Sequence, residues 1–270
     1  MDILKVAVCE MTSTDDWQKN QTDVLAKLRA LPDGTQFVSF PENSLYMRLK
    51  EGAKIPPVEL QDPIFKPLSA VALDKKLWIH LGSVPLILNG RTQNATVMID
   101  PSGKLTSPYQ KLHLFDVEIS GHKSYRESDQ FLHGTKPSII DVNGWKLGLT
   151  ICYDLRFAEL YNYYAQNEVD MILVPSAFTV PTGLAHWEIL LRARAIESQC
   201  YVLAAAQGGQ HSPGRETYGH SVIIDPWGKI LAEATVEHKV ISSTLNLSEI
   251  KKVRTQIPMK HHRKNPSIYS

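Results

Sequence analysis

Short apolar runs and longer amphipathic stretches follow one another along the chain, a pattern typical of an α/β protein. Residues 147–151 form an apolar run that follows Asn143-Gly144, a dipeptide favoured in tight hairpin turns. The next stretch, 156–166, carries its apolar residues at helical spacing, at Phe157, Leu160, Tyr161 and Tyr164. The pattern therefore predicts a buried strand followed by a helix, with Cys152 at their junction.

The same order of elements is predicted twice: strand, helix, strand, helix, strand, strand. The first half has its elements at 5–10, 17–31, 36–40, 63–76, 77–84 and 95–100. The second half has them at 147–151, 156–166, 170–174, 184–198, 201–206 and 220–225. Each half also closes with a similar turn, Asp100-Pro101-Ser102-Gly103-Lys104 in the first and Asp225-Pro226-Trp227-Gly228-Lys229 in the second. The repeat indicates two βαβαββ halves.

A mixed sheet covered by helices on one face only would leave its other face apolar and wet. We therefore expect the two halves to pack sheet against sheet, which gives a four-layer αββα sandwich. The predicted fold class is α/β, built as one domain over residues 1–270. A C-terminal extension from about 240 to 270 adds another strand and a short helix.

Composition excludes several classes of function. A formal net charge of +1 gives no reason to expect nucleic acid as a partner, and the basic tail at 259–264 has no flanking aromatic residues. No apolar run is long enough to predict a membrane span. The three cysteines lack paired spacing, so we expect free thiols and a cytoplasmic location. The histidines lack metal-ligand spacing, and neither a metal nor another cofactor is expected.

Cys152 is a candidate nucleophile because the amides of a following helix would favour its thiolate. A lone cysteine in an apolar strand is more often structural, and a nucleophile also needs a base and a donor for the oxyanion. Glu42 follows a buried strand, and a desolvated carboxylate is a competent base. Lys111 lies in an apolar connection, where a lysine is usually a surface residue that extends its stem over hydrophobic side chains. Histidine is the alternative base, and the candidates are His113, His186 and His220.

Three motifs change this balance when they are taken together. Phe40-Pro41-Glu42, Tyr109-Gln110-Lys111-Leu112-His113-Leu114 and Cys152-Tyr153-Asp154-Leu155-Arg156-Phe157 resemble the motifs of the nitrilase superfamily of carbon–nitrogen hydrolases. The resemblance extends from about residue 5 to residue 234. It implies the αββα sandwich that the repeat predicts independently.

The resemblance also implies a role for each residue that matches a motif. Cys152 becomes the nucleophile and Glu42 the general base. Lys111 stabilises the oxyanion together with the backbone N–H of Tyr153, and as a cation beside Cys152 it is expected to lower the pKa of the thiol. Glu127 follows the lysine by 127 − 111 = 16 residues, the family's interval for a second glutamate, and is expected to position substrate and Lys111.

The segment 113–119 is similar to the Nit branch of the superfamily, whose members are amidases that form a Cys acyl-enzyme from small ω-amides. The segments 206–209 and 214–221 resemble deaminated glutathione amidases, and 182–187 resembles these and the ω-amidases. The resemblance favours hydrolysis of deaminated glutathione to α-ketoglutarate and cysteinylglycine, a metabolite repair reaction. The alternatives are ω-amidase action on α-ketoglutaramate and, from another class, a non-catalytic interaction scaffold.

Deaminated glutathione carries two carboxylates, so at least one arginine is expected at the site. Arg215, in a glycine-rich loop, is the candidate, whereas Arg156 is expected to form a structural ion pair with Glu159 or Asp154. The remaining substrate-binding candidates are Tyr153, Ser176, Ala177 and Phe178. Relatives use the C-terminal segment in dimer contacts, which implies a homodimer or a higher homo-oligomer.

Overall fold

The computed structural model describes residues 2–50, 52–117, 125–235 and 239–264. Glu118 and Ile119, which end the segment that resembles the Nit branch, lie outside the described residues, as do the last six residues of the C-terminal extension. Within the described ranges, no helix is long and apolar enough to cross a lipid bilayer.

The strands of the first half are β1 (Ile3–Cys9), β2 (Phe37–Phe40), β3 (Trp78–Leu88), β4 (Arg91–Ile99) and β5 (Leu105–Thr106). The later strands are β6 (Asp116–Val117), β7 (Tyr125–Arg126), β8 (Ile139–Val142), β9 (Trp145–Leu149), β10 (Met171–Leu173), β11 (Tyr201–Ala204), β12 (Gly208–Ser212), β13 (Arg215–Tyr218), β14 (Val222–Ile224), β15 (Ile230–Glu233) and β16 (Val240–Asn246). The helices are α1 (Trp17–Arg29), α2 (Lys66–Lys75), α3 (Ala158–Gln166), α4 (Val180–Ser198), α5 (Leu247–Gln256) and α6 (Met259–His262).

Two six-stranded mixed sheets form the centre of the molecule. Their strand orders are β16-β1-β2-β3-β4-β5 and β15-β14-β11-β10-β9-β8. The duplicated βαβαββ order is confirmed, because β1, β2 and β3 pair in parallel in one sheet and β9, β10 and β11 do so in the other. The α/β sandwich predicted from the sequence is likewise confirmed.

Alternate residues of β1 show why the sheets stack. Val6 and Val8 belong to the same apolar cluster as Leu147 of the second sheet. Ala7 and Cys9 belong to a second cluster that contains Val24 and Leu28 of α1, among others. Successive side chains of a strand point to opposite faces. One face of the first sheet therefore packs on the second sheet and the other on helices.

Two hairpin turns have the backbone that their sequences favour. Asn143 and Gly144 have φ values of 54° and 84° and join β8 to β9, as predicted. Asn89 and Gly90 have φ values of 52° and 72° and join β3 to β4 in a hairpin longer than predicted. Positive φ at both central residues is what a type I′ turn requires. The second turn was missed because the residues on either side of it do not alternate between apolar and polar.

The helix predicted from Arg156 begins later than expected. Residues Cys152–Arg156 form a 3₁₀ turn, and α3 begins at Ala158. Cys152 itself has a φ of 48°, in the left-handed region that few side chains adopt. The thiol therefore lies on a sharp turn after the strand, rather than at the N-terminus of a long helix.

The C-terminal segment completes the first sheet. β16 pairs antiparallel with β1 over its whole length, from Ile3 opposite Asn246 to Cys9 opposite Val240. The predicted strand and helix are both present, with the helix longer than expected at Leu247–Gln256. Without β16, the edge of β1 would be exposed with its backbone groups unpaired.

Candidate active site

The C-terminal ends of central strands from both sheets meet at one edge of the sandwich. Glu42 follows β2 of the first sheet, and Cys152 follows β9 of the second. Gly82 of β3 allows this approach: a Cβ at that position would lie 2.0 Å from Cβ of Pro175, which follows β10. The absence of a side chain at Gly82 thus lets the two halves come together beside the thiol.

Lys111 joins two carboxylates at this edge. Its Nζ lies 2.7 Å from Oε1 of Glu42 and 2.8 Å from Oε2 of Glu127. The lysine is only 2% exposed, so both ion pairs are shielded from water. The backbone N–H of Phe115 also donates to Oε2 of Glu127, at 2.7 Å. The structure therefore brings together three of the four residues predicted to be catalytic, in direct contact.

The charge of Lys111 follows from these contacts. Burial by itself lowers the pKa of Lys111, but the carboxylates of Glu127 and Glu42 outweigh it and raise this pKa well above its usual value. The side chain is therefore an ammonium at neutral pH. An ammonium fixed in a buried site is a suitable partner for a developing oxyanion.

Cys152 lies beside the same group of charges. The residue is 7% exposed, and its backbone N–H donates to the Pro175 carbonyl at 2.8 Å. Burial and the nearby Glu42 raise the pKa of Cys152 well above its usual value, whereas Lys111 lowers it. The expectation of a lowered thiol pKa is therefore wrong, because desolvation and a carboxylate outweigh one cation.

Asp154 connects the segment that carries Lys111 to the turn that carries Cys152. Its buried carboxylate accepts hydrogen bonds from the Tyr109 hydroxyl at 2.7 Å and from the His113 backbone N–H at 3.0 Å. It also accepts from the Ile151 N–H at 2.9 Å, and His113 Nδ1 lies 2.7 Å away. Asp154 is thus occupied by these partners and forms no ion pair with Arg156, contrary to expectation.

None of the three candidate histidines contacts the thiol in the described part of the chain. His113 is bonded to Asp154, His186 accepts from Arg156 at 3.2 Å, and His220 lies 2.9 Å from Glu233. The acidic group near Cys152 is instead Glu42, which lines the same cavity and whose negative charge raises the pKa of the thiol. The Cys–His alternative is therefore without structural support.

A cavity opens over the thiol, and its walls include most of the predicted substrate-binding residues. Tyr153, Ala177, Phe178 and Arg215 line it together with Cys152. Ser176 is not among the lining residues, since its hydroxyl is fully buried and donates to the Val174 carbonyl at 3.3 Å. Its expected place in the pocket wall is therefore wrong: it is the following residue, Ala177, that reaches the cavity.

Several lining residues were not expected from the sequence. Besides Arg215, three more arginines line the cavity, namely Arg48, Arg126 and Arg156. The Arg156 guanidinium lies 5.9 Å from the ring centre of Tyr153 and 5.3 Å from that of Phe178, and it forms no ion pair among the described residues. Its position four residues after the cysteine, on the 3₁₀ turn, was the only available signal. The cavity is therefore strongly cationic.

Comparison with known proteins agrees with this fold. The carbon–nitrogen hydrolase family model matches residues 5–255, and the chain belongs to that family. Deaminated glutathione amidase of Yersinia enterocolitica is 36% identical over 262 residues, which cover 95% of this chain and 92% of that one. Omega-amidase NIT2 of Homo sapiens is 33% identical over 276 residues, with coverage of 100% and 98%.

The crystal structure of the Caenorhabditis elegans NitFhit protein has a TM-score of 0.87 and 35% identity. The match covers 98% of this chain and 66% of that longer one. The chain is thus a member of the Nit branch of the nitrilase superfamily. It is a hydrolase that acts on carbon–nitrogen bonds other than peptide bonds.

Proposed function

We propose that the protein is an amidase that hydrolyses deaminated glutathione through an acyl-enzyme on Cys152. One observation carries the proposal: a carboxylate, Glu42, and an ammonium, Lys111, are in direct contact and both act on the Cys152 thiol. This arrangement provides a base and a cation where a nucleophile needs them.

In the proposed first step, Glu42 takes the thiol proton while the sulfur attacks the amide carbon. The raised pKa of Cys152 fits this step, because the thiol keeps its proton until a base removes it. The oxyanion receives hydrogen bonds from the Lys111 ammonium and the Tyr153 backbone N–H. Glu42 then gives the proton to the departing amine as the carbon–nitrogen bond breaks, which leaves a thioester.

In the second step, Glu42 takes a proton from water, whose oxygen attacks the thioester carbon. The carbon–sulfur bond breaks, the sulfur regains a proton, and a carboxylic acid leaves. Glu127 supports both steps because its Oε2 lies 2.8 Å from Nζ of Lys111 and helps to hold the ammonium in place. With deaminated glutathione, the products are cysteinylglycine and α-ketoglutarate.

The charge of the cavity supports a substrate with more than one carboxylate. Both glutamates in its wall are paired with Lys111, and four arginines line the same space, of which Arg126 lies 3.7 Å from Asp129. Deaminated glutathione has a carboxylate at each end, so it can engage arginines on two sides of the thiol. Arg156 and Arg215 are the candidates for these contacts.

The alternative substrate is α-ketoglutaramate, favoured by the human omega-amidase relative at 33% identity. This amide has the same keto acid group but a single carboxylate, and its leaving group is ammonia. A cavity lined by four arginines offers more cationic groups than it needs. Both reactions release α-ketoglutarate, so one assay distinguishes them.

The test is the release of α-ketoglutarate from the two amides, measured side by side with wild type and Cys152→Ala. We expect a higher kcat/KM for deaminated glutathione, with no turnover by the variant. A higher value for α-ketoglutaramate assigns ω-amidase activity instead. A wild-type protein that turns over neither, nor any other small amide, supports the interaction scaffold.

We also propose a homodimer or a higher homo-oligomer. Leu184 and Ile189 of α4 are 71% and 72% exposed, and burying such side chains against a second copy would stabilise the assembly. Analytical ultracentrifugation of wild type and Ile189→Asp tests this, and a monomeric wild type contradicts it. A cytoplasmic location is part of the proposal, supported by three unpaired cysteines and testable by cell fractionation.

A further inference from the structure

One residue outside the three motifs contacts three of the four proposed catalytic residues. Asn94 lies on β4, and its backbone carbonyl accepts the Lys111 N–H at 2.9 Å. Its side-chain Nδ2 donates to Oε1 of Glu42 at 3.1 Å and to Oε1 of Glu127 at 2.8 Å. The side chain is 1% exposed, so these bonds are not exchanged for bonds to bulk water.

The orientation of the Asn94 amide is set by the two carboxylates. A flipped amide would direct its oxygen at two carboxylate oxygens, which have no proton to share. In the observed orientation, Oδ1 is buried and has no hydrogen-bond partner among the described residues. Buried acceptors without partners are uncommon in folded proteins. The chain thus leaves one acceptor unsatisfied while the amide nitrogen serves both glutamates.

The two oxygens of the Glu42 carboxylate differ in their hydrogen bonds. Asn94 and Lys111 both donate to Oε1, at 3.1 and 2.7 Å. The other oxygen, Oε2, is occupied by neither of these donors, and it is the one left to take the proton of Cys152, which lines the same cavity. A single ion pair with a lysine leaves a carboxylate free to rotate about its last bond, whereas a second donor fixes its plane.

We propose that Asn94 is a positioning residue that orients the Glu42 carboxylate toward the Cys152 thiol, an assignment that rests on the proposed function. Asn94 acts through Glu42, and its other hydrogen bonds fix Glu127 and the Lys111 backbone relative to Glu42. Without the amide donor, Glu42 keeps its ion pair but loses its fixed plane, and proton transfer from the thiol becomes inefficient.

The variant that isolates this role is Asn94→Leu, which keeps the approximate size and removes the donor. Thr96→Val is the matched control. Thr96 lies two residues along the same strand and is fully buried, and its hydroxyl donates to the Gly82 carbonyl at 3.2 Å. The Thr96→Val variant therefore removes one buried hydrogen bond on the same face of β4 without changing a contact of either glutamate.

The first readout is the pH dependence of Cys152 alkylation by iodoacetamide, located by peptide mass spectrometry, which needs no substrate. The alkylation rate is expected to fall toward acid pH, and this part of the profile is the acid limb. Loss of a donor disfavours the charged carboxylate, so the acid limb in Asn94→Leu moves to higher pH by about 0.5–1 unit. Thr96→Val keeps the wild-type limb. Asn94→Asp, with the same size and an added negative charge, shows a larger shift in the same direction.

The second readout is turnover of deaminated glutathione. We expect kcat of Asn94→Leu to fall by about 10- to 100-fold, with KM within about threefold of wild type. If the leucine prevents folding, Asn94→Ala gives the same comparison, because it also removes the donor and cannot overfill the site. A limb and a kcat that match wild type, or equal changes in Thr96→Val, overturn the role of Asn94. A wild-type Cys152 that alkylates without any acid limb overturns the proposed base, and this role with it.

Discussion

Nζ of Lys111 lies 2.7 Å from Oε1 of Glu42, although 69 residues separate the two in the chain. The contact joins the end of β2 to a segment held beside β4, so it depends on how the first sheet places these two parts of the chain. Because both side chains are almost fully buried, removing either partner would leave an uncompensated buried charge.

Replacing Lys111 by methionine is therefore expected to destabilise the fold. The buried carboxylate of Glu42 and the partly buried one of Glu127 would lose their cation, which costs about 3–5 kcal/mol in free energy of unfolding near pH 7. The loss should be smaller at pH 5, since protonation relieves an unpaired buried carboxylate. Urea denaturation at both pH values measures it. Lys104→Met, at an exposed position, is the control and should change little; an equal loss in both variants contradicts the prediction.

The left-handed backbone at Cys152 predicts an unusual order of stability among inactive variants. At a φ of 48°, alanine retains the strain of the cysteine, whereas glycine relieves it. We expect Cys152→Gly to be more stable than Cys152→Ala by up to about 1 kcal/mol, after glycine's higher chain entropy is allowed for. Urea midpoints provide the comparison. A less stable glycine variant shows that the turn holds no strain. Neither variant should turn over substrate.

His80 should make the protein sensitive to acid. It is fully buried beside Ser39, and burial lowers the pKa of His80 from 6.5 to about 3. The unfolded chain binds this proton below pH 6.5 while the folded chain does not, so stability falls as pH drops from 6.5 toward 3. Between pH 7 and 5, this group accounts for about 2 kcal/mol of lost stability.

His80→Gln removes that component, so its free energy of unfolding should fall less between pH 7 and 5 than that of wild type. Urea titrations at intermediate pH values give the slope directly. His262→Gln, which changes an exposed histidine of α6, should keep the wild-type slope. An unchanged slope in His80→Gln means that the histidine is already protonated in the folded protein.

Arg156 provides a test of substrate charge. Lysine keeps the positive charge but not the planar group that lies near the Tyr153 and Phe178 rings. We expect Arg156→Lys to lower kcat/KM for deaminated glutathione by about 10- to 100-fold, mostly through KM. Steady-state kinetics measure it, with Arg192→Lys, which is bonded to Glu188 on α4, as control. Equal kinetics in the two variants remove Arg156 from the substrate site.

The sequence predicted the repeated halves because each rests on local periodicity and on turn residues such as Asn143-Gly144. It predicted the group of Glu42, Lys111, Glu127 and Cys152 only through motifs, since nothing local indicates that residues so distant in the chain meet. The 3₁₀ turn at Cys152–Arg156 was missed because the helical spacing of apolar residues begins only at Phe157, after the turn.

Asn94 and Arg156 show what motifs leave out. The contacts of Asn94 depend on the hairpin of β3 and β4 and on the register that sets its carbonyl against Lys111. The direction of Arg156 depends on the 3₁₀ turn and on two rings from different segments. The direction of the Cys152 pKa shift could not be predicted either. The motifs indicate that a cation is near Cys152, but the burial of the thiol, which raises its pKa, is seen only in the folded chain.

The most direct test of the proposed mechanism is mass spectrometry of the protein quenched in acid within milliseconds of mixing with substrate. An acyl-enzyme on Cys152 predicts an added α-ketoglutaryl group on the peptide that contains this residue. The adduct should be the same from deaminated glutathione and from α-ketoglutaramate, because both share the acyl part, and it should be absent in Cys152→Ala. Turnover without an adduct, or turnover that survives in Cys152→Ala, contradicts the mechanism.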